Sequence, residues 1–162
     1  MWNVAKTADS TPRDDAIRLL ARRDYSLQEL TDRLTARGHG VDAVAEALQQ
    51  LAEEGLQSDA RFAECFLRDR LLRGHGPRKM LAELGQRGVD RELARQSLAE
   101  LERDQAIDWA ERAMDVLQRR FGSVAPNQIL PRERARHERF LAGRGFDFEQ
   151  VRRAVQEWQR QE

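Results

Sequence analysis

The pattern Leu-x-x-Arg-Gly occurs three times in this 162-residue chain and constrains its fold more than any other feature. The copies are residues 34–38, 84–88 and 141–145. Thirteen residues after each glycine stands a large apolar residue, namely Leu51, Leu101 or Trp158. A repeat of about 50 residues with helical spacing inside it predicts a tandem array of helical units.

Start and stop signals divide each repeat into three helices. In the first unit, Thr11 followed by Pro12 begins one helix. Ser26 and Glu29 form a predicted capping box for the second helix, which Gly38 ends. We therefore predict an all-α fold of three tandem three-helix repeats in an elongated, curved array. Its predicted parts are a flexible tail at 1–11, units at 12–55, 56–103 and 104–162, and a proline-containing connector near 122–131.

Apolar spacing also predicts which side chains face inward, so that each unit buries one face against its neighbour. Those expected inside the first two helices are Ile17, Leu20, Ala21, Leu27, Leu30 and Leu34. Cys65, the single cysteine, lies between two phenylalanines and is interpreted as a small core residue. In the third unit His137 takes a position that leucine or methionine fills elsewhere, so Phe140 is expected to replace it inside.

Charge is unevenly distributed, although the chain has 28 basic and 28 acidic residues. Residues 1–60 carry 7 Lys/Arg and 11 Asp/Glu, residues 61–91 carry 8 and 4, and residues 112–144 carry 8 and 3. An acidic first third followed by basic segments indicates a partner with charge of its own. Arginine and glutamate are also good surface helix formers, so the same charges have a purely structural interpretation.

The sequence lacks the patterns typical of catalysis and metal binding. Its three histidines have no Cys or Asp partners at ligand spacing, so no metal site or cofactor is expected. The segment 74–79 has neither the spacing of a phosphate-binding loop nor a preceding strand. We therefore expect a binding protein rather than an enzyme. One cysteine, no apolar run of 18 residues and no signal-peptide pattern favour a cytoplasmic protein without membrane attachment.

The basic residues around the glycine-rich break at 74–76 form the predicted binding site. They are Arg61, Arg68, Arg70, Arg73, Arg78, Lys79 and Arg87. Arg78 and Lys79 fall in a first helical turn, where the helix dipole disfavours cations, which indicates a functional use. Such a cluster can neutralise phosphates or contact acidic protein side chains. Aromatic residues are not interleaved with it, which disfavours a dedicated single-strand binder.

Two segments of the chain resemble the signatures of the RecX regulatory proteins. The first is Leu20-Ala21-Arg22-Arg23-Asp24-Tyr25-Ser26, followed by Glu29-Leu30 and Leu34. The second is Asp59-x-Arg61-Phe62-Ala63, Arg68-x-Arg70, Gly74-x-Gly76-Pro77-Arg78, Glu83-Leu84 and Arg87-Gly88. Together they cover residues 16–101, and Arg144-Gly145-Phe146 extends the similarity into the third unit.

The resemblance implies a modulator of the RecA recombinase, which acts in recombination, DNA repair and the SOS response. Members of the family consist of tandem three-helix repeats, bind the RecA–DNA filament along its helical groove and have no catalytic residues. They damp ATP hydrolysis, strand exchange and the filament's stimulation of repressor self-cleavage. RecA as a filament on single-stranded DNA is thus the expected partner, with direct DNA contact a further expectation, and the chain is expected to be a monomer.

Two other hypotheses remain open from the residues themselves. Three-helix units with basic helices can enter DNA grooves, so the chain could be an autonomous DNA-binding repeat protein. That hypothesis predicts binding to naked DNA with a steep dependence on salt. A purely structural scaffold is the other alternative, and it predicts that replacing Arg73, Arg78 and Lys79 by alanine leaves partner affinity unchanged.

Overall fold

The structure is a computed structural model that describes residues 10–122 and 129–161. Within these ranges the chain forms nine α-helices and no strand. The helices are α1 (Pro12–Leu20), α2 (Leu27–Ala36), α3 (Val41–Glu53), α4 (Asp59–Leu72), α5 (Pro77–Gln86), α6 (Arg91–Asp104), α7 (Trp109–Phe121), α8 (Pro131–Gly143) and α9 (Phe148–Gln159). Every extensive helix–helix contact lies within one consecutive triplet, α1–α3, α4–α6 or α7–α9. The all-α class and the three three-helix units are therefore confirmed.

The helix starts follow the sequence signals in all but one detail. The Thr11 hydroxyl accepts a hydrogen bond from the Asp14 N–H at 3.1 Å, and Pro12 opens α1. The Ser26 hydroxyl likewise accepts from the Glu29 N–H at 3.1 Å. The predicted capping box is wrong in its second half, because the Glu29 carboxylate binds the guanidinium groups of Arg23 (2.9 Å) and Arg87 (3.3 Å) instead. Two cations offer that carboxylate stronger bonds than one backbone N–H does.

The repeated Leu-x-x-Arg-Gly phrase is a helix ending in all three units. Its leucine is fully buried in each copy, and its arginine is the C-cap of α2, α5 or α8. Its glycine has a φ of +95°, +79° or +98°, in the left-handed region that residues with a Cβ rarely adopt. The phrase therefore sets where the middle helix of each unit stops.

The buried apolar residues form two separate cores. The first unit has its own, which includes Leu30, Leu34, Leu48 and Leu51. The second and third units share one continuous core. Among the described residues the apolar core thus does not continue from the first unit into the second, although Ser26 is fully buried at their junction. The three short helices of the first unit contact one another, and polar groups make its junction with the second unit.

Several predicted inward positions are wrong because the buried stripe lies elsewhere on the helix. In α1 the buried residues include Ala16 and Leu19, while Ile17 lies on the far side and is 39% exposed. Ala21 is exposed, and Leu27, the first residue of α2, is 41% exposed. Cys65 is also exposed, since it lies roughly 150° around α4 from the middle of its buried stripe.

His137 is buried at its place in α8, and Phe140 is only half-buried, so the expected exchange of roles is wrong. The imidazole lies between aromatic rings, 4.3 Å from the Phe121 centroid and 5.1 Å from the Trp158 centroid. Most of the predicted connector lies at 123–128, outside the described residues, as does most of the predicted tail. No helix of the described ranges is long and apolar enough to cross a membrane.

Candidate partner-binding surfaces

Adjacent units meet at one recurring joint, which puts the start of a middle helix against the Arg-Gly turn of the next unit. Between the first two units, the Ser26 hydroxyl donates to the Arg87 carbonyl at 2.7 Å. Between the second and third, the Gly76 N–H donates to the Arg144 carbonyl at 2.7 Å, and the Arg78 N–H donates to Gly145 at 2.9 Å. At the second joint, N–H groups at the helix start that lack an intrahelical acceptor thus bind carbonyls of the neighbouring unit. At the first joint the Leu27 N–H instead binds the Asp59 carboxylate at 2.8 Å.

A wide groove, called here the arginine groove, lies where the first unit meets α4. It has a volume of about 620 Å³ and is lined by Arg23, Asp24, Phe62, Cys65, Phe66, Asp69, Arg70, Arg73 and Arg87. The Arg70 guanidinium lies 4.4 Å from the Phe66 ring centroid, and that of Arg87 lies 5.1 Å from it. Both distances allow cation–π attraction, so the ring holds two guanidinium groups in place beside the groove.

The structure does not bring the seven predicted basic residues onto one surface. Arg70, Arg73 and Arg87 line the arginine groove. Arg61 and Arg68 line a depression between α4 and α6, which also contains three carboxylates. The remaining two belong to the start of α5, where Arg78 lines a third groove and Lys79 packs against Gly145. The linear sequence places these residues close together, but they lie on different faces of α4 and on α5 beyond the turn that follows it.

Three of the seven side chains are occupied inside the protein. Arg61 binds the Asp24 carboxylate at 2.8 Å and also the carbonyls of Gly55 and Leu56, at 3.1 and 3.0 Å. Arg70 has a side chain only 16% exposed and binds Asp69 and Glu83, at 2.8 and 2.9 Å. Arg87 binds Glu29 at 3.3 Å, across the joint between the units. These contacts hold helices and units together.

The other four predicted residues make no ion pair that links one described helix to another. Arg73, with a side chain 64% exposed, and Arg68, with one 50% exposed, each pair with a carboxylate one helical turn away. Exposed pairs of this kind are weak and break easily for a partner. Arg78 and Lys79 have no carboxylate within 4 Å among the described residues, and Arg78 is exposed. Of the seven predicted residues, these four are therefore the least tied to other parts of the protein.

A second basic groove was not anticipated from the sequence. This α8 groove has a volume of about 560 Å³ and is lined by Arg78, Arg134, Ala135, Glu138, Arg139, Ala142, Phe146, Phe148, Val151 and Arg152. Its residues come from α5, α8, α9 and the loop before α9, so no single stretch of sequence reveals it. One local signal was available, because Phe148 is a large apolar residue at the first position of α9, and it is 80% exposed.

Two titratable groups near these grooves have pKa values shifted from their usual ones. Partial burial raises the pKa of the Cys65 thiol, and the Asp24 carboxylate, 3.7 Å from its Sγ, raises that pKa further. A thiol with a raised pKa is a poor nucleophile. Burial also lowers the pKa of His75, whose Nδ1 lies 3.8 Å from Glu83. No cluster of three or more potential metal ligands occurs among residues 10–122 and 129–161.

Family models for the RecX three-helix domains match all three units. The first RecX domain matches residues 13–51, the second matches 58–98 and the third matches 106–155. The chain belongs to the RecX family. A protein named Regulatory protein RecX from Chromohalobacter salexigens is 59% identical over 149 residues, which cover 92% of this chain and 93% of that protein. A RecX of the same name from Pseudomonas entomophila is 47% identical over 143 residues, or 88% of each chain.

Solved RecX structures share the fold at low sequence identity. The crystal structure of RecX from Lactobacillus salivarius aligns with a TM-score of 0.75 and 20% identity, covering 91% of this chain and 94% of that one. A second RecX crystal structure, described as a regulatory protein, aligns with a TM-score of 0.73 and 19% identity, covering 90% and 70%. Three three-helix units in this order are thus the RecX architecture.

Proposed function

We propose that this RecX-family chain is a non-catalytic inhibitor of the RecA recombinase. In this proposal it binds the RecA–DNA filament in the cytoplasm as a monomer and damps ATP hydrolysis, strand exchange and repressor self-cleavage. The observation that carries the proposal is membership of a family of regulatory proteins, combined with exposed arginines beside the joints between units. Such cations suit an anionic filament, because both its DNA and acidic side chains of its protein attract them.

The contact residues proposed within this function are four cations, the exposed Arg68, Arg73 and Arg78 and the half-buried Lys79. Arg61, Arg70 and Arg87 support the same surfaces indirectly, because their bonds to Asp24, Glu83 and Glu29 fix how the first unit and α5 are placed against α4. Loss of a contact residue should weaken binding of the filament and leave the stability of the protein unchanged. Loss of a supporting residue should weaken binding and also lower stability.

The direct test measures the DNA-dependent ATPase of RecA with stoichiometric amounts of this protein. We expect strong inhibition by the wild type, and an apparent inhibition constant about tenfold higher for the triple variant Arg73→Ala, Arg78→Ala, Lys79→Ala, as loss of a few buried charge contacts would give. The matched control is Arg91→Ala, Arg95→Ala, Arg103→Ala, which removes three exposed arginines of α6. An unchanged RecA ATPase with the wild-type protein would refute the proposal.

Autonomous binding to DNA is the second candidate function, and the unpaired cations at the start of α5 favour it. A helix N-terminus offers backbone N–H groups and a positive dipole to a phosphate, although here the joint already uses the N–H groups of Gly76 and Arg78. This function predicts tight binding to naked DNA without RecA, with affinity falling steeply as salt rises. An anisotropy titration at several salt concentrations separates it from the first proposal.

A further inference from the structure

The α8 groove has an apolar floor and a low wall. Phe146 and Val151, both largely buried, form part of its floor. Ala135 and Ala142 lie seven positions apart in α8, so they share one face of that helix and keep the wall low. Phe148 stands beside them with 80% of its surface exposed. An exposed aromatic ring next to an apolar floor is typical of a surface that a partner covers.

The charge around this floor is strongly one-sided. Four arginines line the groove, from α5, α8 and α9, against the single carboxylate of Glu138. Arg134 pairs with Glu138 at 3.1 Å, and Arg152 pairs with Glu149 at 2.6 Å. Arg78 and Arg139 have no carboxylate within 4 Å in the described part of the chain. A ligand with apolar side chains in its centre and negative charges at its edges would match this arrangement.

These features favour a protein helix over a nucleic acid as the occupant. Single-stranded nucleic acid is held by several aromatic rings on which successive bases stack, whereas this groove has one exposed ring. A helix that is apolar on one face places anchors at positions i, i+3, i+4 and i+7, and such a stripe fits an apolar floor. We propose that the α8 groove binds an amphipathic helix of a partner protein whose flanking positions are rich in aspartate and glutamate.

The test uses a fluorescein-labelled 18-residue helical peptide with leucines at i, i+3, i+4 and i+7 and glutamates at the flanking positions. We expect this peptide to bind the full chain, as measured by anisotropy, and to shift backbone amide resonances of α8 and the start of α9. Three probes serve as controls: a peptide of the same composition with its leucines scattered, a peptide with lysine in place of glutamate, and labelled dT20. Each should bind at least about tenfold more weakly than the designed peptide.

Variants locate the binding surface without RecA being present, so this inference can fail or hold independently of the proposed function. Phe148→Ala and Arg139→Glu should each weaken binding of the peptide about tenfold. Leu72→Ala, which removes a leucine of α4 that is 79% exposed, is the matched control and should leave affinity unchanged. The inference is overturned if the peptide does not bind, if the scattered peptide binds equally, if dT20 binds more tightly, or if Phe148→Ala and Leu72→Ala behave alike.

Discussion

Gly38, Gly88 and Gly145 share a positive φ, but only the last two have a neighbour that a side chain would strike. The space around Gly38 is open. A methyl group on Gly88 would collide with the Cβ of Gln28, at the start of α2. A methyl group on Gly145 would collide with Lys79, because its carbon would lie 2.6 Å from the backbone nitrogen of Lys79. At the scale of the residue, Gly38 is therefore required only for its left-handed backbone conformation. Gly88 and Gly145 are required for that conformation and also for the close approach of the neighbouring unit.

Alanine at these three glycines should separate the two constraints. Gly38→Ala should lower the free energy of unfolding by about 1 kcal/mol, the cost of a left-handed alanine. Gly88→Ala and Gly145→Ala should each lower it by roughly 1–3 kcal/mol more, because the joint must also move apart. Urea denaturation followed by circular dichroism measures all three. Equal losses at the three positions would show that the joints tolerate a Cβ.

His137 is a polar residue at a core position and should make stability depend on pH. Its burial lowers its pKa, and its Nδ1 has no hydrogen-bond partner among the described residues. The unfolded chain then binds the proton more readily, so stability is fully present above the unfolded pKa near 6.5 and falls as the pH drops below it. Glu133 opposes this shift and Arg136 adds to it, both more weakly than burial does.

Replacing His137 by leucine, the residue at the matching position of the first unit, should remove this dependence. The melting temperature of His137→Leu should fall less between pH 7.5 and pH 5 than that of the wild type. The comparison isolates His137, since His39 and His75 are present in both proteins. A difference between the two proteins that is the same at both pH values would contradict the expectation.

At the scale of the element, helix ends were predictable and helix faces less so. The cap residues at Thr11, Ser26 and Gly38 act locally, so a few neighbouring letters are enough to locate them. The buried face depends on where the other two helices of the unit lie, which is a matter of tertiary packing. The exposed positions of Ile17 and Cys65 show this limit. Short helices with few apolar residues allow more than one assignment of the stripe.

The seven basic residues illustrate the same limit for the candidate site. Their charge was evident from the sequence, but the ion pairs of Arg61 and Arg87 are made with residues far away in the chain. Arg61 binds Asp24, which lies 37 positions earlier, and Arg87 binds Glu29, 58 positions earlier. A cation bound in this way is part of the scaffold. Periodicity gives no information on such long-range pairs, so the division into supporting and exposed arginines required the structure.

The bond from Arg61 to Asp24 should therefore contribute to the attachment of the first unit. Arg61→Ala should lower the free energy of unfolding by about 1–2 kcal/mol, because it removes three hydrogen bonds from a half-exposed guanidinium. Arg68→Ala is the control, since the one ion pair it makes within the described ranges is an exposed one inside α4, and it should change stability by less than about 0.5 kcal/mol. A double-mutant cycle with Asp24→Ala measures the coupling, and a value of zero would contradict this role.

At the scale of the whole molecule, the two cores should give the chain two levels of stability. Among the described residues the first unit has eight buried core residues of its own, whereas the core shared by the second and third units has twenty. Smaller cores resist opening less. Hydrogen exchange followed by mass spectrometry, at increasing guanidinium concentration, should show the amides of α1–α3 exchanging at lower denaturant than those of α4–α9. A single exchange isotherm for all nine helices would show that the joint couples the cores fully.

The joint between units gives the array a direction. Each unit has a receiving end, where its middle helix begins, and an inserting end, which is its Arg-Gly turn. The turn of the first unit, at Gly38, contacts no other unit among the described residues and has free space around it. A further three-helix module grafted upstream could dock there, provided that its middle helix starts with serine or glycine. Successive units are thus joined head to tail, with the start of one middle helix against the Arg-Gly turn of the next unit. Duplicating one three-helix module would lengthen the array through the same kind of joint.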